Sequence, residues 1–189
     1  MTIREYGTQI QQIVSAITCC APEWTVLGIA GGAVVDMVHA YLEDGTLFLH
    51  QGDPVNAIAS FGYAQGWLEG GKYLGLVSTP SPGAWTDLDA ILDSSVLSRL
   101  QEKVHRYHRL LAEGISAVEP APDTASYLWR GAGEILKQAE SALRQGEQQN
   151  SAGKLPEALR WFGYGHGWLD VGARMGLFRI TGRRELFTL

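Results

Sequence analysis

The stretch Phe61-Gly62-Tyr63-Ala64-Gln65-Gly66-Trp67-Leu68-Glu69-Gly70-Gly71-Lys72-Tyr73-Leu74-Gly75-Leu76 decides the fold, because the chain contains it twice. Its second occurrence is Phe162-Gly163-Tyr164-Gly165-His166-Gly167-Trp168-Leu169-Asp170-Val171-Gly172-Ala173-Arg174-Met175-Gly176-Leu177, displaced by 101 residues. Nine of these 16 positions are identical, where roughly one would match by chance at ordinary residue frequencies. A fixed displacement of this kind marks an internal repeat.

The same displacement works upstream without a gap. Ala57 meets Ala158, Gly52 meets Gly153, Leu42 and Gly45 meet Leu143 and Gly146, and Tyr6 meets Tyr107. Copy one spans 1–78 and copy two 95–179, with the strict correspondence starting near 102. Residues 79–94 read as a linker, opened by Thr79-Pro80-Ser81-Pro82-Gly83 and carrying a possible helical turn at 87–92. A tail follows at 180–189.

Each copy reads as three helices, so the expected class is all-α. Helix one is expected over 3–18 and 95–118. In copy two, Val104, Tyr107, Leu111, Ile115 and Val118 recur at helical spacing, and Asp93, Ser94 and Ser95 offer the cap. Helix two is expected over 24–44 and 124–146, stopped by Gly45 and Gly146 as C-terminal glycines. Helix three is expected over 53–76 and 154–178, with Asp53-Pro54 as its start in copy one. Helix three is apolar almost all round, yet glycine-rich. A glycine inside a helix costs about 1 kcal/mol relative to Ala, so a structural return is required. Gly62, Gly66 and Gly70 fall four apart on one face, as do Gly163 and Gly167. Small residues at that spacing let another helix come close or leave room for a neighbour's aromatic ring, so helix three is read as the central, buried helix of each bundle.

The run Ala57 to Tyr63, followed by Gly66-Trp67-Leu68-Glu69, resembles the signature of an archaeal family with no assigned activity, domain of unknown function family 357. Copy two matches the end of that signature through Tyr164, His166 to Asp170, Gly172, Arg174 and Gly176. Copy one departs at Glu69, Lys72 and Tyr73. The resemblance covers most of the chain. It implies an up-and-down three-helix bundle in tandem duplication and an archaeal, cytoplasmic source. It implies no reaction. The fused pair suggests a built-in pseudo-dimer.

Composition narrows the function classes. Hydrophobic residues make up 46% and charged residues 19% of 189, the balance of a folded globule. The net charge is −5, and no basic run offers the footprint that nucleic-acid binding needs. The longest apolar run, Trp24 to Val35, falls short of the roughly 20 residues of a spanning helix, and no signal peptide opens the chain. Neither nucleic acid nor membrane is expected as a partner. Cys19 and Cys20 are adjacent, which is poor geometry for a disulfide, and they read as small, partly buried hydrophobes of a reducing compartment.

The candidate ligand-binding residues are Tyr63, Trp67 and Glu69 in copy one, with Tyr164, His166, Trp168, Asp170 and Arg174 in copy two. The aromatic pairs at i and i+4 form either a pocket or core packing around the glycines. Glu69 and Asp170 are equivalent acids in an apolar helix, either perturbed acid–base groups or halves of helical ion pairs with Lys72 and Arg174. His166 stands where copy one has Gln65, a residue of similar size and hydrogen-bonding ability. Glu102, His105 and His108 resemble half of a di-iron helix motif, but Asp36 to His39 is a poor second half. No metal, cofactor or catalytic set is expected.

Helix two differs between copies in a directed way. Copy two carries Arg130, Glu134, Lys137, Ser141 and Arg144, where copy one has Ile29, Ala33, Asp36, Ala40 and Glu43. Val26, Ile29 and Ala33 are therefore expected to bury against copy two or a second chain. The first functional expectation is a non-enzymatic protein-interaction or scaffold module that binds a protein partner or itself. The alternative is a small-molecule binding protein or enzyme with a pocket between the two copies.

Overall fold

The computed structural model describes residues 1–80 and 85–188, so Ser81 to Ala84 of the expected linker lie outside the described residues. Among the described residues the chain forms α1 (Ile3–Val14), α2 (Val26–His50), α3 (Pro54–Tyr73), α4 (Leu97–Ser116), α5 (Tyr127–Ser151) and α6 (Leu155–Arg174). The protein is all-α, one three-helix unit carried twice.

Two short antiparallel pairs were not visible as strands in the sequence. β1 (Thr18–Cys19) pairs with β2 (Val77–Ser78), and β3 (Val118–Pro120) with β4 (Phe178–Ile180). Each pair ties the end of the first helix to the end of the third within one copy. Cys19 and Cys20 lie on this surface ribbon and are exposed free thiols, not the partly buried hydrophobes expected.

The helix starts are locally encoded. Thr2 and Glu5 form a reciprocal capping box on α1, with the Thr2 N–H donating to Glu5 Oε2 at 2.8 Å. Thr25 Oγ1 accepts from Gly28 N at 2.9 Å on α2, and Asp53 Oδ1 accepts from Asn56 N at 3.0 Å on α3. Asp93 caps a single 3₁₀ turn, Ser94–Val96, that leads into α4. No helical turn forms at 87–92; the chain there is irregular, and Leu88 N–H bonds a side chain of copy two instead.

The expected glycine stops of helix two are corrected. Gly45 and Gly146 lie inside α2 and α5, which run on to His50 and Ser151. These glycines make room for rings: a Cβ at Gly45 would collide with Phe61, and one at Gly146 with Phe162. The helices end instead just before Gly52 and Gly153, which adopt φ of +73° and +74°, the left-handed conformation that reverses the chain. The extended α2 is also, by length and composition, long and apolar enough to cross a membrane, which the run from Trp24 to Val35 understated. In the fold its Val34, Val38 and Leu42 are buried in the core.

α3 and α6 form the centre, with α1 and α2 packed on one and α4 and α5 on the other. They are buried nearly all round, as the absence of a polar face requires. The glycine face explains how they meet. A Cβ on Gly62 would come within 2.5 Å of Arg160 O, and one on Gly163 within 2.9 Å of Ala59 O. One on Gly167 would come within 2.5 Å of Tyr63 O and 2.9 Å of the Gly66 Cα. These contacts exchange under the displacement of 101 residues, which takes Ala59 to Arg160, Gly62 to Gly163 and Gly66 to Gly167. The two copies are therefore related by an approximate two-fold axis through the Gly66–Gly167 approach, the isologous geometry of a symmetric dimer within one chain.

Candidate functional site

The two-fold relation creates two equivalent places, one on each side of the α3–α6 seam. The first is filled. Arg160 on α6 is 2% exposed and pairs with Glu157, 1% exposed, its Nε donating to Oε2 at 2.9 Å. Arg160 Nη1 donates to Gln65 Oε1 at 3.1 Å, and Tyr6 Oη donates to the same oxygen. The Arg160 guanidinium lies 4.5 Å from the Trp161 ring centroid and 5.8 Å from that of Tyr6. Leu88 N–H donates to Glu157 Oε2 at 2.8 Å, and Trp85 Nε1 donates to Glu69 Oε1 at 3.2 Å. The segment after copy one thus straps over the network, and a buried charge pair survives because each member is hydrogen-bonded. Burial and the Arg160 neighbourhood pull oppositely on Tyr6, and burial wins, raising its phenol.

The second place is open. Ala59 stands where copy two has Arg160, Ser60 where it has Trp161, and Leu186 where the linker has Trp85. The loss of side-chain volume leaves a cavity of about 160 Å³, lined among others by Tyr41, Ser60, Tyr63, Tyr107, His166 and Asp170. Tyr63 Oη donates to Asp170 and lies 3.2 Å from Thr188 Oγ1. Thr188 N–H donates to Asp170 at 3.4 Å, so the C-terminal tail straps this place as the linker straps the other. The Tyr41 and Tyr63 ring centroids are 4.2 Å apart, and His166 meets Tyr63 edge-on at 6.5 Å. Among the described residues His166 Nδ1 is buried without a partner. Burial pushes the His166 imidazole below its ordinary value, with Asp170 opposing. Burial likewise pushes the Asp170 carboxyl up, against His166, Tyr63 and Thr188.

The predicted site residues divide accordingly. Tyr63, His166 and Asp170 converge on the open cavity. Glu69 belongs to the filled side, with Lys72 Nζ at 3.1 Å, the expected helical pair. Tyr164 stacks edge-on against Trp161 and Trp168 on that side, and burial raises its phenol to about 12. Trp67 is fully buried and Trp168 nearly so, both as core. The expected Asp170–Arg174 pair does not form: Asp170 is held by Tyr63 and Thr188, while Arg174 is exposed beside a different groove. His108 Nε2 sits 2.8 Å from Glu147 Oε1, and among the described residues no three His, Cys, Asp or Glu side chains converge as metal ligands.

That other groove lies across the copies, at the end reached by the C-termini of α3 and α6. It measures about 510 Å³ and is lined by Val26, Leu27, Ile29 and Ala33 from α2, with Leu128 and Leu177 from copy two. Val26 and Ile29 do not bury against copy two: they remain 82% and 65% exposed, and Ala33 is half-buried. Nearby in the chain, Trp24 is 79% and Tyr127 88% exposed.

The fold and its axis define a fused pair of homologous helical units. The family described as "Protein of unknown function (DUF357)" matches residues 5–77 and again 106–178, the same displacement of 101, and the chain belongs to that family as two tandem copies. No curated protein and no solved structure matches the chain.

Proposed function

We propose that the protein is a non-enzymatic interaction module that joins protein surfaces through the apolar end of its seam, with a second copy of the same chain as the occupant. The observation that carries this reading is the set of large apolar side chains left exposed at the groove, Val26, Leu27, Ile29 and Leu128, with Trp24 and Tyr127 exposed next to them in the chain. Contiguous exposed apolar surface marks an interaction site. Part of the face is built from equivalent pairs, Leu27 with Leu128, Leu74 with Met175 and Leu76 with Leu177, while Ile29 and Ala33 on the copy-one side answer to Arg130 and Glu134. An isologous contact between two such apolar faces closes as a dimer. On this reading the apolar character of α2 serves docking, and the protein works in a reducing, cytoplasmic setting that leaves Cys19 and Cys20 as thiols.

Sedimentation velocity over a concentration series tests it. A dimer is expected for the native chain, with dissociation strengthened about tenfold or more in Ile29→Glu. A native chain that stays monomeric throughout, or a dimer indifferent to Ile29→Glu, refutes the reading.

A further inference from the structure

The filled place and the open place are two versions of one site, and the filled one displays the chemistry it accommodates. There the chain supplies its own organic cation, the Arg160 guanidinium, over the Trp161 and Tyr6 rings and against the Gln65 oxygen. Under the two-fold relation the guanidinium's counterpart is the space beside Ala59; Tyr107 takes the place of Tyr6, and His166 that of Gln65. We propose that the open cavity binds a small organic cation with N–H donors, a guanidinium or primary ammonium compound, in the position the Arg160 side chain holds on the other side.

Four further observations fit that class of ligand. The lining brings together three tyrosine rings, Tyr41, Tyr63 and Tyr107, and aromatic faces attract cations. Asp170 is 1% exposed and, among the described residues, bonds only to Tyr63 and Thr188, with no Lys or Arg beside it. Its equivalent Glu69 has Lys72. Burial already disfavours the Asp170 carboxylate, so a cation in the cavity restores the charge balance that copy one achieves with its own residues. His166, 9% exposed, is one of the residues that line the cavity, and a neutral imidazole offers one acceptor, as Gln65 does to Arg160. A volume near 160 Å³ suits a ligand of about six heavy atoms, since a cavity of about 150 Å³ holds benzene.

The test uses the full chain, titrated by NMR with methylguanidinium and with methylurea, its uncharged isostere. Saturable binding of methylguanidinium is expected, with methylurea weaker by about tenfold or more. Asp170→Asn is expected to weaken methylguanidinium by a similar factor. Ala59→Arg, which places copy two's own cation in the cavity, is expected to abolish binding while the circular dichroism spectrum is kept; it decides the matter if Asp170→Asn does not fold. Equal binding of methylurea, no saturable binding of methylguanidinium, or unchanged binding in a folded Ala59→Arg chain overturns the proposal.

Discussion

Gly167→Ala places a methyl group at the centre of the seam. Its Cβ would lie 2.5 Å from Tyr63 O, and 2.9 Å from both Gly66 Cα and Trp67 N. All three are backbone atoms of α3, so no side chain can swing aside. The shortest approach is about 0.9 Å inside ordinary van der Waals contact, and α3 and α6 must separate to relieve it. Overpacking of this kind costs about 1–3 kcal/mol, and a fixed helix backbone puts it at the upper end. Helix propensity returns about 1 kcal/mol. The net loss is about 2 kcal/mol, a fall in Tm of roughly 4–8 °C for a chain of this size. Gly133→Ala is the control. It sits in α5 with nothing within 4 Å of the new Cβ, so only propensity acts, and Tm should rise by about 2–4 °C. Thermal and urea unfolding of both variants read the result. A Gly167→Ala chain as stable as the native one, or stabilised like Gly133→Ala, would refute the close approach.

The buried groups give two further expectations. His166 has a folded-state pKa below its ordinary 6.5, so its contribution to stability is present above pH 6.5 and is lost as pH falls below it. Asp170, raised from 3.8, acts in the opposite sense, its contribution being lost as pH rises above 3.8. Tm should therefore decline between pH 7.5 and 5.5 in part through His166, and His166→Gln, the residue of copy one, should flatten that slope; an unchanged slope would contradict the assignment. Glu157→Gln leaves the Arg160 charge buried without its carboxylate and should cost about 3–5 kcal/mol, a fall in Tm of at least about 6 °C. The Glu157→Leu, Arg160→Met pair should cost less in the same unfolding assay, and a larger cost for the pair would overturn the balance of charges described for the filled place.

The central place of helix three was legible because its cause is local and periodic. Glycines four apart in a helix without a polar face leave close packing as the stabilising return, but that the partner is the third helix of the other copy was not read from the sequence, which had the copies meet through helix two. The length of α2 and α5 was not legible, because Gly45 and Gly146 read as stops until Phe61 and Phe162 are seen over them. The open cavity was half legible. Tyr63, His166 and Asp170 lie within one helical motif and its copy. Tyr41, Tyr107 and Thr188 come from α2, α4 and the tail, and only the tertiary fold brings them together. On the filled side Glu69, Lys72 and Tyr164 were named but the buried Arg160–Glu157 pair was missed, although the alignment carried a signal: Arg160 interrupts an apolar helix three residues after Glu157, where copy one has Ala59 and Asn56. A charge pair on a helix without a solvent face has to be buried and paired. Asp170 was assigned to Arg174 on helical spacing alone, and the tail residue that takes its place is remote from that helix's own pattern.

The central claim is that the two copies are halves of one pseudo-symmetric dimer joined along α3 and α6. Its most direct test is to express residues 1–92 and 93–189 as separate chains, mix them, and measure the mass and helicity of the product. The account predicts a folded one-to-one complex that Gly167→Ala weakens. Two halves that each remain folded monomers and ignore one another would contradict it.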